Sequence, residues 1–459
     1  MQNGMSVLCA AAAAAIGASV ASAEPPTTQQ LLDKINALQA EVDQLKAERQ
    51  PGPHLMPAES QAVVDAVQAD AERHSRLLDV QGLTGGYLPD KGFALRSDNG
   101  DFLLHPWLLF QFRDETTYRG DGKPGGRSDV QNGFEIRRLK LGLDGNLFGP
   151  DLTYQFIWSV DRHSGNFLLE DAWARYDVPG TALFVRGGQI RDPFDHEQIV
   201  FGPFLLTSER SLVNSIFANG DGLVQGATVG FDNNGPLRVE GGITDGMRSA
   251  NTNFQDFPTA GIPADWGLAG RVEFKPMGDW KQYNGFTALG AKRPLLVFGA
   301  GADYTEAGDT QQLTHVADVQ YDHPDGLMFY GAYLGRYVNH NGGPPGTNGG
   351  FTGTARTPDT YDTTVRAEAG YLVAHHFEPF VRYEYIHFDG AELPATSRHS
   401  VVHEVTTGFN YYFYGQRAKF TADMSYLPSG SPVSDDSSGV LTSGARNEVV
   451  VRAQFQLIL

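Results

Sequence analysis

From Phe102 onward, apolar and polar residues alternate along most of the chain. Phe102, Leu104, Leu108, Phe110 and Phe112 hold one phase against Gln111, Arg113 and Glu115. Leu152, Tyr154, Phe156, Trp158 and Val160 do the same against Thr153, Gln155, Ser159 and Asp161, as do Phe420, Ala422, Met424 and Tyr426 against Lys419, Thr421, Asp423 and Ser425. At the end of the chain Val449, Val451, Ala453, Phe455 and Leu457 alternate with Arg452, Gln454 and Gln456. A period of two puts each set on its own face of a strand. Sixteen such segments are read, over 102–119, 133–148, 151–162, 167–178, 181–191, 222–233, 236–245, 264–275, 295–306, 310–322, 326–339, 360–374, 377–389, 401–414, 416–427 and 446–459.

The links between them sort by length. Gly149-Pro150, Pro179-Gly180, Asn234-Gly235, His323-Pro324-Asp325, His375-His376 and Gly415 mark short turns. They alternate with long links at 120–132, 192–221, 246–263, 340–359, 390–400 and 428–445. Short turns on one side and long loops on the other is the architecture of an outer-membrane barrel. The link 276–294 is too long for the short side and predicts a small ordered insertion there. An even strand count returns both ends of the barrel to the short-turn side. Lipid then takes the apolar set and a wet interior takes the polar set. Sixteen strands enclose enough space for an aqueous channel.

The N-terminal part reads differently. Residues 7–20 form an apolar run too short to span a bilayer, followed by Ala21-Ser22-Ala23, a small-x-small cleavage pattern. No Lys or Arg precedes the run, and Cys9 sits in a poor lipobox. Leu31, Ile35, Leu38, Val42 and Leu45 are spaced as an a/d seam of about two heptads, which Pro51 and Pro53 end. A second helical stretch is predicted near 58–78. The expected organisation is a signal peptide over 1–23, a periplasmic coiled coil over 24–50, and a linker with a short helix over 51–91. An all-β, 16-stranded antiparallel transmembrane β-barrel then occupies 92–459.

Composition narrows the picture further. With 54 Gly, 28 Phe and 18 Tyr the chain is rich in turn and strand formers, and its single Cys excludes a disulfide framework. Mean hydropathy is −0.30, and no apolar run of helix-spanning length occurs after the N-terminus. A net charge of −19 argues against nucleic acid as a partner.

The link 192–221 holds Phe194, Ile199, Val200, Phe201, Phe204, Leu205 and Leu206. A loop extended into water would not keep so much apolar surface. Folding inward against the barrel wall buries it and narrows the channel.

Four motifs then point to a family. Glu135-Ile136-Arg137-Arg138-Leu139-Lys140-Leu141-Gly142, Glu170-Asp171-Ala172-Trp173-Ala174-Arg175-Tyr176, Gly188-Gln189-Ile190-Arg191-Asp192-Pro193-Phe194 and Glu209-Arg210-Ser211 resemble the phosphate-selective porins of the O and P type. Gly92-Phe93-Ala94-Leu95 with Asp98-Asn99-Gly100 resembles that family's approach to its first strand. The likeness covers about 92–220 by motif and the remainder by strand pattern. It implies a homotrimeric sixteen-stranded channel in the outer membrane of a Gram-negative cell. It also implies an inward third loop and a basic constriction for phosphate or polyphosphate.

Carried over by motif, the site residues are Arg137, Arg138, Arg191 and Asp171. Alternation places Arg138 and Lys140 toward the lumen, whereas Arg137 falls on the lipid phase unless a bulge intervenes. Arg113 and Arg175 complete the set of candidate pore-lining and anion-binding residues. Arginine suits the task because its planar fork grips phosphate oxygens at two points, while passage requires that binding stay weak.

Charge leaves an alternative open. Only nine lysines stand against 26 arginines, none lies between Lys140 and Lys275, and the 192–221 loop carries Asp192, Asp195, Glu197 and Glu209. An acidic field favours cations, so a general or weakly cation-preferring porin on the same scaffold is the competing reading. An enzyme is not expected: His163-Ser164 has no third partner. No cofactor is expected, and His375-His376 with Glu378 is too small a set for a metal. An adhesive barrel fits the Gly-rich loops but not the apolar third one.

Overall fold

The computed structural model of the protein describes residue 40 and residues 82–88, 92–119, 130–162, 164–218, 222–247, 264–307, 310–339, 359–389, 400–431, 438–441 and 447–459. The chain divides into two units, Met1–Gln81 and Gly82–Leu459, and the second holds every strand among the described residues. The expected signal peptide, coiled coil and 58–78 helix lie outside the described residues, residue 40 apart, as does His163.

Two short strands come first, β1 (Leu83–Leu88) and β2 (Gly92–Ser97), paired as a hairpin. β1 occupies a stretch assigned to the linker from sequence, because Leu-Thr-Gly-Gly-Tyr-Leu carries no alternation of its own. The barrel begins with β3 (Leu103–Arg119), β4 (Val130–Asn146), β5 (Leu152–Val160), β6 (Phe167–Asp177), β7 (Leu183–Arg191), β8 (Leu223–Asp232) and β9 (Leu237–Thr244). It continues with β10 (Trp266–Met277), β11 (Leu295–Ala307), β12 (Thr310–Asp322), β13 (Leu327–Asn339) and β14 (Thr360–Tyr371). β15 (Phe377–His387), β16 (Val401–Tyr412), β17 (Ala418–Leu427) and β18 (Glu448–Ile458) complete it. From β3 to β18 each strand pairs antiparallel with the next, and β18 returns to β3 from Glu448↔Arg119 to Ile458↔Leu109. The result is a closed 16-stranded barrel without a free edge, and every predicted segment overlaps its strand, with β4 starting three residues early and β10 and β11 ending two and one residues late.

Turn chemistry explains the short side. Phe148 and Gly149 have φ of 59° and 129° between β4 and β5, and Asn234 has φ of 58° between β8 and β9. These are the left-handed positions that tight turns need and that Gly and Asn adopt at least cost. The long side is less uniform than its sequence suggests. β5 and β6 are joined there by 161–166 alone, and β11 turns directly into β12 with Ala307 paired to Thr310.

The outer face carries Leu268, Val272, Phe298, Leu313, Val365, Val381, Met424 and Val451, all exposed. Tyr337 and Tyr361 flank this belt toward the long-loop end, and Tyr371, Phe377 and Tyr411 toward the other. An apolar band between aromatic girdles is what a bilayer demands of a barrel. Among the described residues no helix is long and apolar enough to cross a membrane.

The interior departs from a simply wet lumen. Val316, Met328, Leu334, Phe380, Ile386, Val402 and Val450 stand on the inward phase of β12–β18, yet they are buried. They form one apolar core with Phe194, Leu205, Leu206, Val213, Ile216 and Phe217 of the link 192–221. The link therefore fills one side of the barrel. It does so as two short helices, α1 (His196–Ile199) and α2 (Leu212–Phe217), separated by a 3-10 turn at Gly202–Phe204. Ser211 caps α2, its hydroxyl accepting from the Asn214 amide at 2.9 Å.

Close approach to the wall is set at Gly301 on β11, where an added Cβ would lie 2.1 Å from the Phe194 carbonyl oxygen. Gly301→Val should therefore lift the start of the loop from β11. The expected outcome is faster cleavage at Arg210 by an arginine-specific protease; cleavage at the wild-type rate would show that the loop does not rest there.

The insertion between β10 and β11 turns inward as well. It runs through a 3-10 turn at Gln282–Asn284 and buries Trp280, Tyr283 and Phe286. The Phe286 amide donates to the Phe204 carbonyl at 3.0 Å, and Gln320 Nε2 donates to the Gly285 carbonyl at 3.0 Å. Two inserts from opposite rims thus meet inside the barrel.

Candidate functional site

Strands β3 and β4 are out of simple register at one point: Gln111 faces Arg138 and Phe112 faces Ile136. Arg137 is the extra residue of this bulge, and a bulge re-aims side chains. Both adjacent arginines consequently turn inward and reach the same loop carboxylate. Arg138 Nη2 donates to Glu209 Oε2 at 2.6 Å and Arg137 Nη2 to the same oxygen at 3.0 Å, while Arg137 Nε reaches Oε1. Arg113 Nη1 donates to Oε1 at 2.8 Å, and its Nη2 lies 2.5 Å from both Glu115 and Glu135. Glu209 is 3 % exposed. Burial pushes its carboxyl up, but Arg137, Arg138 and Arg113 outweigh burial and hold it below the usual carboxylate range.

The other candidates are spread along β4, β6 and β7. Lys140 pairs with Glu170. Arg191 lies 3.5 Å from Asp171 and donates to the Gln198 carbonyl at 3.5 Å, the outer limit of a hydrogen bond. Arg175 is not brought to either group. It donates to Asp177 at 2.6 Å near the short-turn end of β6 and stacks 3.7 Å over Phe184.

Much of the loop's anchoring lies on the C-terminal wall. Arg366 on β14 is fully buried and reaches Glu197 and, at 3.3 Å, Asp195. Arg382 on β15 donates to Thr207 Oγ1 at 2.7 Å and to the Glu209 carbonyl at 3.0 Å. Lys419 donates to the Leu205 carbonyl at 3.0 Å, and the Ser208 amide donates to Asp423 at 2.9 Å. Arg366 and Arg382 stand on the polar phase of their strands, and that was the available sequence signal. The family motifs end near residue 220 and drew no attention to them.

Where the two inserts meet, His196 stacks on Tyr283 with centroids 3.7 Å apart and planes at 3°. Its Nε2 lies 3.1 Å from Gln320 Oε1. Burial lowers its pKa from 6.5 to about 3, helped by Arg271 and Arg366 and opposed by Asp318 and Gln320. Between those values the undocked loop binds a proton that the docked loop refuses. Docking by this residue is undiminished above pH 6.5 and weakens as pH falls, by up to roughly 1.4 kcal/mol per pH unit. Asp192 and Asp195, raised chiefly by burial, act in the opposite sense. A comparison with His196→Phe isolates the imidazole. At pH 5 the wild-type loop should be cleaved at Arg210 faster than the variant loop, with the gap closing at pH 7.5; equal rates at both pH values would contradict the assignment.

Beside the loop, along β3–β9, lies a cavity of about 970 Å³. Trp107, Ile157, Trp173, Phe201 and Phe204 form its apolar lining, and Lys281 and Gln282 of the insertion border it. Its basic residues, Arg186, Arg191, Lys281 and Arg417, stand against Asp144, Asp171 and Glu240, with His105 beside Asp144 at 2.7 Å.

No family model matches the chain, and no curated protein matches its sequence. Its fold is similar to that of solved porins. An anion-selective porin from Comamonas acidovorans aligns over 78 % of this chain and 100 % of that one, with a TM-score of 0.53 and 14 % identity. The outer membrane channel DcaP of Acinetobacter baumannii aligns over 79 % and 99 %, at 0.50 and 12 %. Salmonella typhi OmpF, in a complex with daunomycin, aligns over 78 % and 99 %, at 0.50 and 12 %. At such identities the likeness is one of fold.

Proposed function

We propose that the protein is an outer-membrane channel through which small anions, phosphate or polyphosphate among them, diffuse passively past the inward loop. The observation that carries the reading is the cavity left between the loop and β3–β9, bordered by four basic and three acidic side chains. The fold likeness to porins, one of them described as anion-selective, supports the channel. The resemblance of the 135–142, 170–176 and 188–194 motifs to phosphate-selective porins supports phosphate as a solute.

In this reading Arg191, with Asp171, lines the passage directly, Arg113, Arg137, Arg138 and Lys140 set its charge from where loop and wall meet, and Arg175 stands lower on the same wall. Each cation is shared with a carboxylate, which keeps anion binding weak enough for release. The channel works as a homotrimer in a Gram-negative outer membrane, with its N-terminal segment in the periplasm. The a/d seam at 31–45 and the family likeness support the trimer.

A second reading, an unselective or weakly cation-preferring porin, draws on that same pairing of cations with acids and on the net charge of −19. Reversal potential in a planar bilayer under a salt gradient separates the two. A current carried by chloride and reduced by added phosphate supports the first reading. A cation-carried current indifferent to phosphate overturns it.

A further inference from the structure

The cavity is built for more than inorganic ions. Phe201 meets Trp107 edge-to-face at 5.4 Å and Phe204 at 5.7 Å, all three reaching the same space. The same cavity is lined by Trp173, with the Arg186 guanidinium 5.7 Å from its ring centroid, and by Arg191. Among the described residues Arg191 is held by two long contacts, Nη2 to Asp171 Oδ2 and Nη1 to the Gln198 carbonyl, both at 3.5 Å. The guanidinium therefore keeps donors for an incoming oxyanion.

A phosphate ion wants donors on several sides and gains nothing from indole and phenyl faces. A flat apolar body carrying one carboxylate fits both halves of the site. Its ring buries against Trp107 and Phe201, and its carboxylate takes two parallel donors from one arginine. A volume of about 970 Å³ is ample for such a molecule and leaves room for water beside it.

We infer that this cavity is a binding station for small aromatic carboxylates on their way through the channel, with Arg191 gripping the carboxylate and Trp107 and Phe201 holding the ring. The inference rests on the channel reading and names the solute class that the passage favours.

Full-length protein in planar bilayers, conducting potassium chloride, tests it with benzoate, acetate, benzyl alcohol and inorganic phosphate as blockers. Benzoate should halve the current at a concentration about tenfold below that of acetate or phosphate, and benzyl alcohol should leave it nearly unchanged. Trp107→Leu or Phe201→Leu should bring benzoate to the level of acetate, and Arg191→Gln should weaken both acids. Equal potency of benzoate and acetate, block by benzyl alcohol as strong as by benzoate, or phosphate as the strongest blocker would each overturn the inference. A folded protein without current would instead sink the channel reading. Calorimetric titration of the detergent-solubilised protein then decides the site by itself: benzoate binding weakened by Phe201→Leu upholds it, and no heat of binding removes it.

Discussion

Glu209→Gln should make the channel markedly more anion-selective. The Glu209 carboxylate accepts from Arg113, Arg137 and Arg138 together, and Arg113 is shared with Glu115 and Glu135 as well. Glutamine keeps the shape and one acceptor oxygen but removes the charge, leaving one more net positive charge where loop and wall meet. At an effective dielectric of about 20, a unit charge 4 Å away changes an ion's energy by roughly 4 kcal/mol, and by about 1 kcal/mol in bulk water. The anion-to-cation permeability ratio should therefore rise by about tenfold, read as a shift of the reversal potential toward that of chloride. The change also carries a structural cost. Removing one partner from a buried ion pair destabilises by about 3–5 kcal/mol, so the loop should be cleaved faster at Arg210. Adding Arg113→Gln to Glu209→Gln should return part of the selectivity toward wild type. An unchanged reversal potential in the single variant would mean that ions do not pass the Glu209 cluster.

Replacing residues 279–292 with a two-residue turn is the second large expectation. The insertion stacks Tyr283 on His196, ties Phe286 to Phe204 and Gly285 to Gln320, and sets Thr287 Oγ1 2.8 Å from Glu378. Its residues also border the cavity. Without it the passage widens and the loop loses a support on which α1 rests. Conductance should rise on the order of twofold, since a constriction's width limits the flow through it. The pH dependence carried by His196 should fade, because the imidazole would regain water. A variant that folds and conducts like wild type would show that the insertion lies outside the conducting path.

How far the sequence revealed this molecule varied with the kind of interaction. The strands were legible because period-two alternation is a local record of two solvents on two faces, and β12 appears over the residues its pattern marked. The inward course of 192–221 was legible from its apolar content. The insertion 276–294 was legible only as an anomaly of length, since its contacts lie with Phe204 and Gln320 far along the chain. Arg137 was ambiguous for a similar reason: alternation gave it the lipid phase, and the bulge opposite Gln111 and Phe112 depends on a neighbouring strand. Hidden altogether was the apolar core inside the barrel. Val316, Met328 and Phe380 interrupt the polar phase of their strands, yet what covers them is a distant loop. The candidate cations could be named from the sequence, but their pairing with Glu209, Glu170 and Asp171 is tertiary and left no local trace.

The most direct measurement is single-channel recording of the refolded full-length protein in a planar bilayer with potassium chloride on both sides. Discrete, ohmic conductance steps are expected at low voltage, and they should grow when residues 279–292 are replaced by a short turn. A folded, membrane-inserted protein that gives no steps, alone or with the insertion removed, would contradict the claim that a passage runs beside the loop.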